Sequence, residues 1–346
     1  MYKRIIKPLL FKFDPERIHH LIAWMLRFLF RIPGVRPVTR RIFVVRHQKL
    51  ERELMGITFP NPVGMAAGFD KEGLLYNELA NLGFGFVEIG TFTPRGQKGN
   101  PKPRLFRLAD DQALINRMGF NNSGTAAAVE RLKNNKPHCV IGGNIGKNTN
   151  TPNENAVEDY EDAFEALFPY VDYFVINVSC PNITDMKQLQ DKDALKDIVD
   201  KVMDLNQAKL KPKPVMLKIS PDLNRDQIDD TLRIIREAGV DGVIATNTTI
   251  TRDNLNTSKE TLEKIGEGGL SGLPLKERAT EVIRYISRKT DKTLPIIGVG
   301  GIHSGEDALE KLRAGASLVQ IYTGFIYEGP CLARRINKAI LKSYSS

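Results

Sequence analysis

The stretch PIIGVGGIHSGEDALEKLRAGASLVQIYT, residues 295–323, decides how the rest of the chain is read. Two short runs rich in Ile, Val and Leu, at 295–300 and 318–323, bracket a helical pattern over 305–314. A strand, a crossover helix and a second strand make one parallel βαβ unit. Working outward, the same alternation recurs, with strand candidates at 62–67, 84–91, 139–145, 173–179, 215–220 and 242–246, eight in all. Helical patterns at 73–82, 156–168, 226–238 and 276–289 fall between strands, and another at 330–342 closes the chain. Eight such units over about 250 residues predict a closed (β/α)8 barrel, the TIM-barrel class of α/β fold. An open doubly wound sheet fits less well, because no G-x-G-x-x-G turn follows the first strand.

Composition removes other classes. The 346 residues are 41% hydrophobic and 26% charged, which excludes a disordered chain, a collagen and a disulfide scaffold. The longest apolar run is six residues, 21–26, whereas about 18 are needed to cross a bilayer. Lys7, Pro8, Lys12 and Arg27 interrupt the first apolar stretches, so no secretory signal is expected and the mature chain is expected to start near Met1. Cys139, Cys180 and Cys331 are odd in number and lack CxxC spacing, which indicates neither a disulfide framework nor a zinc site; no metal is expected.

The formal charge of +9 is unevenly placed. Residues 1–49 carry twelve Lys or Arg against only Asp14 and Glu16, so the remaining residues, 50–346, are one unit negative. A basic N-terminal segment at 1–49 is therefore set apart from a barrel at 50–346, and nucleic acid is not an expected partner. Within that segment Asp14 as N-cap and Pro15 at the first helical position start a helix. Ile18, Leu21, Ile22, Met25 and Leu29 follow on one face, with Arg17, His20, Arg27 and Arg31 elsewhere. The stripe suits packing on the barrel; bordered by arginines and this basic, it also suits a helix lying in an anionic lipid surface.

In a barrel of this kind chemistry sits where strands end. Asp70 and Lys71 follow strand one, Thr91 strand two, Asn144 strand three, and Asn177, Cys180 and Asn182 strand four. Lys218, Thr246 to Thr248, Gly300 with Gly301, and Tyr322 with Thr323 occupy the remaining exits. The glycine-rich ends of strands seven and eight each run into a helix, the arrangement that cradles a phosphate with backbone N–H groups. A phosphate-bearing cofactor is the expectation.

The segments AAGFDK (66–71), GNPKPRLFRL (99–108), INRMGFNN (115–122), GGNIGKN (142–148), NVSCPN (177–182), GVIATNTT (242–249), GGLSG (268–272), GVGGI (298–302) and SLVQIYTGFIYEGP (317–330) closely resemble dihydroorotate dehydrogenases. FDPERIHH (13–20) and the basic extension resemble the class 2, quinone-linked, membrane-associated branch. The resemblance implies oxidation of (S)-dihydroorotate to orotate in pyrimidine biosynthesis through one bound FMN. It further implies that a base takes the C5 proton while hydride leaves C6, and that a membrane quinone is the final electron acceptor. The same resemblance implies a peripheral protein on the cytoplasmic face of a bacterial cell membrane. In this family the base precedes the proline of the strand-four motif, here Cys180. Class 2 members usually carry serine there and class 1 members cysteine, so a soluble, fumarate- or NAD-linked enzyme stays in view as the alternative. A flavin-dependent RNA dihydrouridine synthase is a more distant one, since the chain runs only 23 residues past Thr323 and such an enzyme carries an RNA-binding appendage there.

By the same resemblance Lys71, Asn116, Asn177, Asn182, Asn247 and Thr248 meet the substrate, whose planar ring and carboxylate call for amides and a cation, and the backbone of Asn116, Arg117, Met118, Gly119 and Phe120 helps hold that carboxylate. The FMN contacts map to Ala67, Gly68, Phe69, Asp70, Lys71, Thr91, Asn144, Asn177, Lys218, Thr246, Gly272, Gly301, Tyr322 and Thr323. Lys218 matches the lysine beside the flavin atom where negative charge grows on reduction. His19 and Arg107 fall where the family meets the quinone head group.

Overall fold

The computed structural model describes residues 2–178 and 192–344. Eight parallel strands close in chain order: β1 (Val63–Asp70), β2 (Phe86–Phe92), β3 (Val140–Ile145), β4 (Tyr173–Asn177), β5 (Val215–Ile219), β6 (Gly242–Ala245), β7 (Ile296–Val299) and β8 (Leu318–Ile321). Each pairs with the next, and β8 returns to β1 through Val319 opposite Val63. All eight expected strands are present, with ends displaced by up to three residues. The strand-four candidate runs on to 179, which lies outside the described residues. Strand eight stops at Ile321 because Thr323 already opens the helix Thr323–Glu328.

Strand alternation sorts the side chains into an outer and an inner set. Val87, Ile89, Phe174, Ile176, Leu217 and Val319 face the surrounding helices and join the large outer core. Phe86, Tyr173, Val175, Met216, Ile244, Ile297 and Leu318 point inward and make a separate cluster inside the barrel. An antiparallel hairpin, Arg52–Leu54 with Ile57–Phe59, packs Phe59 against that cluster, its ring 5.2 Å from Phe86 and edge-on. Interior packing is therefore apolar on the layer that the hairpin covers. Two residues further along the strands the inward positions become Glu88, Lys218 and Gln320, which gives the barrel a polar layer toward its C-terminal mouth.

The helices at Ala156–Leu167, Arg225–Ala238, Lys276–Lys289, Gly305–Arg313 and Leu332–Ser343 agree with expectation within two residues. The 73–82 pattern shrinks to Tyr76–Asn81, because the Asp70 carboxylate captures the Leu74 and Leu75 amides, each at 2.7 Å, and holds 73–75 as a turn. Helices Thr125–Asn134, Lys192–Gln207 and Lys259–Ile265 lie outside the sequence reading. So does a three-stranded antiparallel sheet, Leu105–Leu108, Ala113–Asn116 and Gly269–Gly272.

The N-terminal segment folds as two short helical turns, Tyr2–Ile6 and Lys7–Leu10, then α1 (Pro15–Leu29) and α2 (Val35–Phe43). Asp14 caps α1 by accepting from the Arg17 amide at 2.8 Å. Glu16, buried, ties α1 to the barrel through Arg104, at 2.7 and 3.2 Å. Of the predicted stripe, Leu21, Met25 and Leu29 are exposed, alongside Trp24 (61%) and Phe28 (54%). Among the described residues no helix is long and apolar enough to cross a membrane.

Candidate active site

Glu88 organises the polar layer. Fully buried on β2, its Oε1 accepts from Asn144 Nδ2 at 2.6 Å and from Lys218 Nζ at 3.2 Å, and its Oε2 accepts from Gln320 Nε2 at 2.7 Å. A buried carboxylate needs this many donors, one of them charged, to offset its lost hydration. From Asn144 the network continues outward: Asn177 Nδ2 donates to Asn144 Oδ1 at 3.3 Å and to Thr91 Oγ1 at 3.1 Å, and Asn247 Nδ2 donates to Asn177 Oδ1 at 3.4 Å. Five strands thus contribute to one chain of amides leading to an ion pair.

That layer floors a cleft at the C-terminal mouth, about 1050 Å³ with its solvent-open side included, where ligands bind in barrels of this kind. Its walls include Ala67, Gly68, Lys71, Thr91, Asn116, Met118, Gly119, Phe120, Asn177, Lys218, Thr246, Asn247, Thr248, Gly272, Gly301, Tyr322 and Thr323, all expected there. The antiparallel sheet roofs one side, placing Asn116 opposite Gly269, to whose carbonyl its Nδ2 donates at 3.3 Å. Gly301 has φ +69°, and a Cβ there would stand 2.4 Å from Lys276 Cα, so only glycine brings this backbone close against helix Lys276–Lys289.

Other expected residues lie elsewhere. Asn144 is wholly buried behind the wall, where it braces Asn177. The Arg117 guanidinium turns away, stacking over Phe106 at 4.6 Å and donating to the Ile265 and Glu267 carbonyls. Phe69 and Asp70 line a second cavity, and burial pushes the Asp70 carboxyl up to about 6. Cys180 and Asn182 lie outside the described residues. Missing from the sequence reading were Glu88, Gln320 and Ser271; the first two had a signal, a carboxylate or amide inside a strand otherwise apolar on both faces, as in FVEIGTF and LVQI.

The second cavity, about 900 Å³, lies between α1 and the barrel and is lined by Glu16, His19, His20, Ala23, Trp24 and Arg27 on one side. Gly68, Lys71, Leu105, Met118 and Tyr322 border both cavities. His19 packs edge-on to Phe69 at 5.0 Å, and burial, together with nearby His20 and Lys71, lowers its pKa to about 4, which keeps it neutral at physiological pH. Arg107 is not in that wall; it donates to the Phe13 carbonyl at 2.7 Å and sits 4.5 Å over the Phe11 ring, fastening the chain that precedes α1.

The family model for dihydroorotate dehydrogenase matches residues 49–343. The chain belongs to the dihydroorotate dehydrogenase family. A relative in Christiangramia forsetii named dihydroorotate dehydrogenase (quinone) is 58% identical over 99% of both chains. One of the same name in Chloroflexus aurantiacus is 47% identical over 98% of this chain and 96% of its own. Among solved structures, the Eimeria tenella dihydroorotate dehydrogenase in complex with ferulenol superposes with a TM-score of 0.86 at 36% identity, over 96% of this chain and 92% of that one. Relatives named dihydroorotate dehydrogenase (quinone) thus match 98–99% of this chain.

Proposed function

We propose that this protein oxidises dihydroorotate to orotate in pyrimidine biosynthesis, with FMN in the mouth cavity and a quinone reaching the His19 cavity as electron acceptor. The observation that carries the reading is that Gly68, Lys71, Leu105, Met118 and Tyr322 border both cavities, so that a flavin in the one and a quinone in the other would share a wall.

The residues present fit a flavin nucleotide. Gln320, held by the Glu88 carboxylate at 2.7 Å, lines the cavity beside Lys218 and gives its wall a fixed polar group for a ring edge. Gly300, Gly301, Thr323 and Gly324 bring strand-end backbone to the same cavity, suited to a phosphate. When bound, FMN supplies the two-electron acceptor for the hydride leaving C6 of the substrate. Lys218, fixed by Glu88, sets a cation in the cavity wall where negative charge on a reduced ring is stabilised. Asn116, Asn177 and Asn247 present amides to the ring edges of a dihydropyrimidine, Lys71 offers its ammonium to the carboxylate, and Thr248 adds a hydroxyl. Cys180, by its place in the NVSCPN motif, takes the C5 proton as thiolate; a thiol with unperturbed pKa of about 8.5 reaches that state far more readily than a hydroxyl.

On the outer side, the exposed Trp24, Phe28 and Leu29 on α1 and the basic surplus of the first 49 residues support peripheral attachment to the cytoplasmic face of the cell membrane. Cys180 alone favours the second reading, a soluble enzyme with fumarate or NAD as acceptor. The deciding experiment is turnover of dihydroorotate by the purified protein with ubiquinone or menaquinone analogues, fumarate or NAD. Orotate formed with the quinones and not with the others is expected; turnover with fumarate or NAD alone overturns the quinone assignment.

A further inference from the structure

A third cavity, about 970 Å³, lies where α1 and α2 meet the barrel, and none of the proposed chemistry uses it. Its walls carry four arginines: Arg27 from α1, Arg31 from the turn that follows it, Arg36 from α2, and Arg131 from helix Thr125–Asn134. The Arg27 and Arg31 side chains make no hydrogen bond or ion pair among the described residues, and the Arg36 side chain gives only its Nε to the Phe30 carbonyl, at 3.2 Å. The acids nearby do not cancel this charge. Glu72 pairs with Arg131 at 2.7 Å and Glu130 with Lys133 at 3.1 Å, which leaves the buried Glu78 as the one carboxylate of the wall facing Arg27, Arg31 and Arg36, its pKa raised by burial against the pull of Arg36 and Arg27. Guanidiniums gathered on one cleft raise its positive potential, and their planar forks match phosphate oxygens.

Position decides the source of that anion. Arg27 and Arg31 stand one residue or one turn from Trp24 and Phe28, whose exposed rings stack at 5.7 Å. Beyond them Leu29 and Ile32 are also exposed, so cationic and apolar side chains lie side by side along the end of α1 and the turn after it. This is the amphipathic arrangement of an interfacial helix, acyl chains on one side and headgroups on the other.

We propose that the cleft formed by Arg27, Arg31, Arg36 and Arg131 binds the phosphate of an anionic phospholipid headgroup, giving the N-terminal unit a discrete lipid site in addition to diffuse attraction. The inference rests on the membrane attachment proposed above. It predicts a site at which two particular arginines matter more than two others of equal charge.

The experiment compares the full-length, flavin-loaded protein with two double variants, Arg31→Gln/Arg36→Gln in the cleft and Arg4→Gln/Arg46→Gln outside it, by co-sedimentation with vesicles of phosphatidylcholine containing phosphatidylglycerol. Thermal unfolding of each variant verifies that it is folded, and an unfolded double variant is replaced by its single Arg31→Gln form. A diffuse basic surface loses the same affinity in both doubles. The site predicts that the cleft double loses about tenfold more than the other. Equal losses overturn the site and leave membrane attachment standing. Displacement of the wild-type protein by millimolar inorganic phosphate at constant ionic strength overturns the lipid as the occupant. A wild-type protein that stays in the supernatant overturns the attachment itself, and the site with it.

Discussion

At the scale of single residues, the decisive pair is Glu88 with Lys218, each buried and 3.2 Å apart. Removing one partner of a buried pair is far worse than removing both, because the survivor keeps its desolvation cost. Glu88→Leu is expected to destabilise the fold by about 3–5 kcal/mol, with Glu88→Leu/Lys218→Met recovering a large part of it; urea unfolding of the four forms of the cycle measures the coupling, and additive effects would remove the pair from this role. Cys180 is tested by stopped-flow reduction. Cys180→Ala is expected to slow dihydroorotate-driven flavin reduction by about 10²–10⁴-fold, the usual worth of a general base. Cys180→Ser retains activity with its pH profile moved upward, since a hydroxyl gives up its proton less readily. Undiminished reduction in the alanine variant reassigns the base.

Among the elements, α1 is the one whose placement controls access to the His19 cavity, and its anchor is Glu16. Burial would push that carboxyl up, but hydrogen bonds from Arg104 and Lys102 win and hold it below its ordinary value. A depressed carboxyl stabilises the folded state above its unfolded pKa, and the contribution fades as pH falls through about 4.3 toward the lower folded value. Trp24, the only tryptophan, reports on α1 directly. Replacing Glu16 with Leu is expected to shift the Trp24 emission transition several tenths of a molar earlier in urea than the far-ultraviolet transition of the barrel, the local loss being about 3–5 kcal/mol for a buried guanidinium left unpaired. Coincident transitions in that variant would mean that α1 is held by something other than this pair. Arg104 also donates to the Lys98 and Asn100 carbonyls, and Asn100 Nδ2 donates to the Arg117 carbonyl at 3.0 Å. The same arginine thus steadies both α1 and the loop that brings Met118 and Gly119 to the mouth cavity.

Across the whole molecule, charge and apolar exposure coincide. Eleven of the fifteen large apolar residues exposed among the described ones fall between Ile5 and Ile42, within the segment that carries all the basic excess. Partition onto anionic vesicles is accordingly expected to weaken strongly between about 0.1 M and 1 M salt, where the screening length shrinks from about 10 Å to 3 Å. Weaker binding to neutral vesicles should persist, since burial of Trp24, Phe28 and Leu29 is insensitive to screening. Salt-independent partition onto anionic vesicles would refute the electrostatic share.

The sequence by itself determined the barrel and its polar mouth, because strand and crossover patterns are local and a parallel strand buried on both faces announces itself as an apolar run. It also determined α1, through the Asp14 cap and Pro15, down to the starting residue. Only the tertiary structure decided which polar residues meet. Glu88, Asn144, Lys218 and Gln320 lie on four strands and become one network only on closure. Leu105–Leu108, Ala113–Asn116 and Gly269–Gly272 become one sheet across more than 150 residues of chain. Arg117 turned away from the cavity and Arg107 away from the second one for the same reason: their partners are carbonyls and rings distant in sequence, and no local pattern encodes contacts that form only when the chain closes on itself.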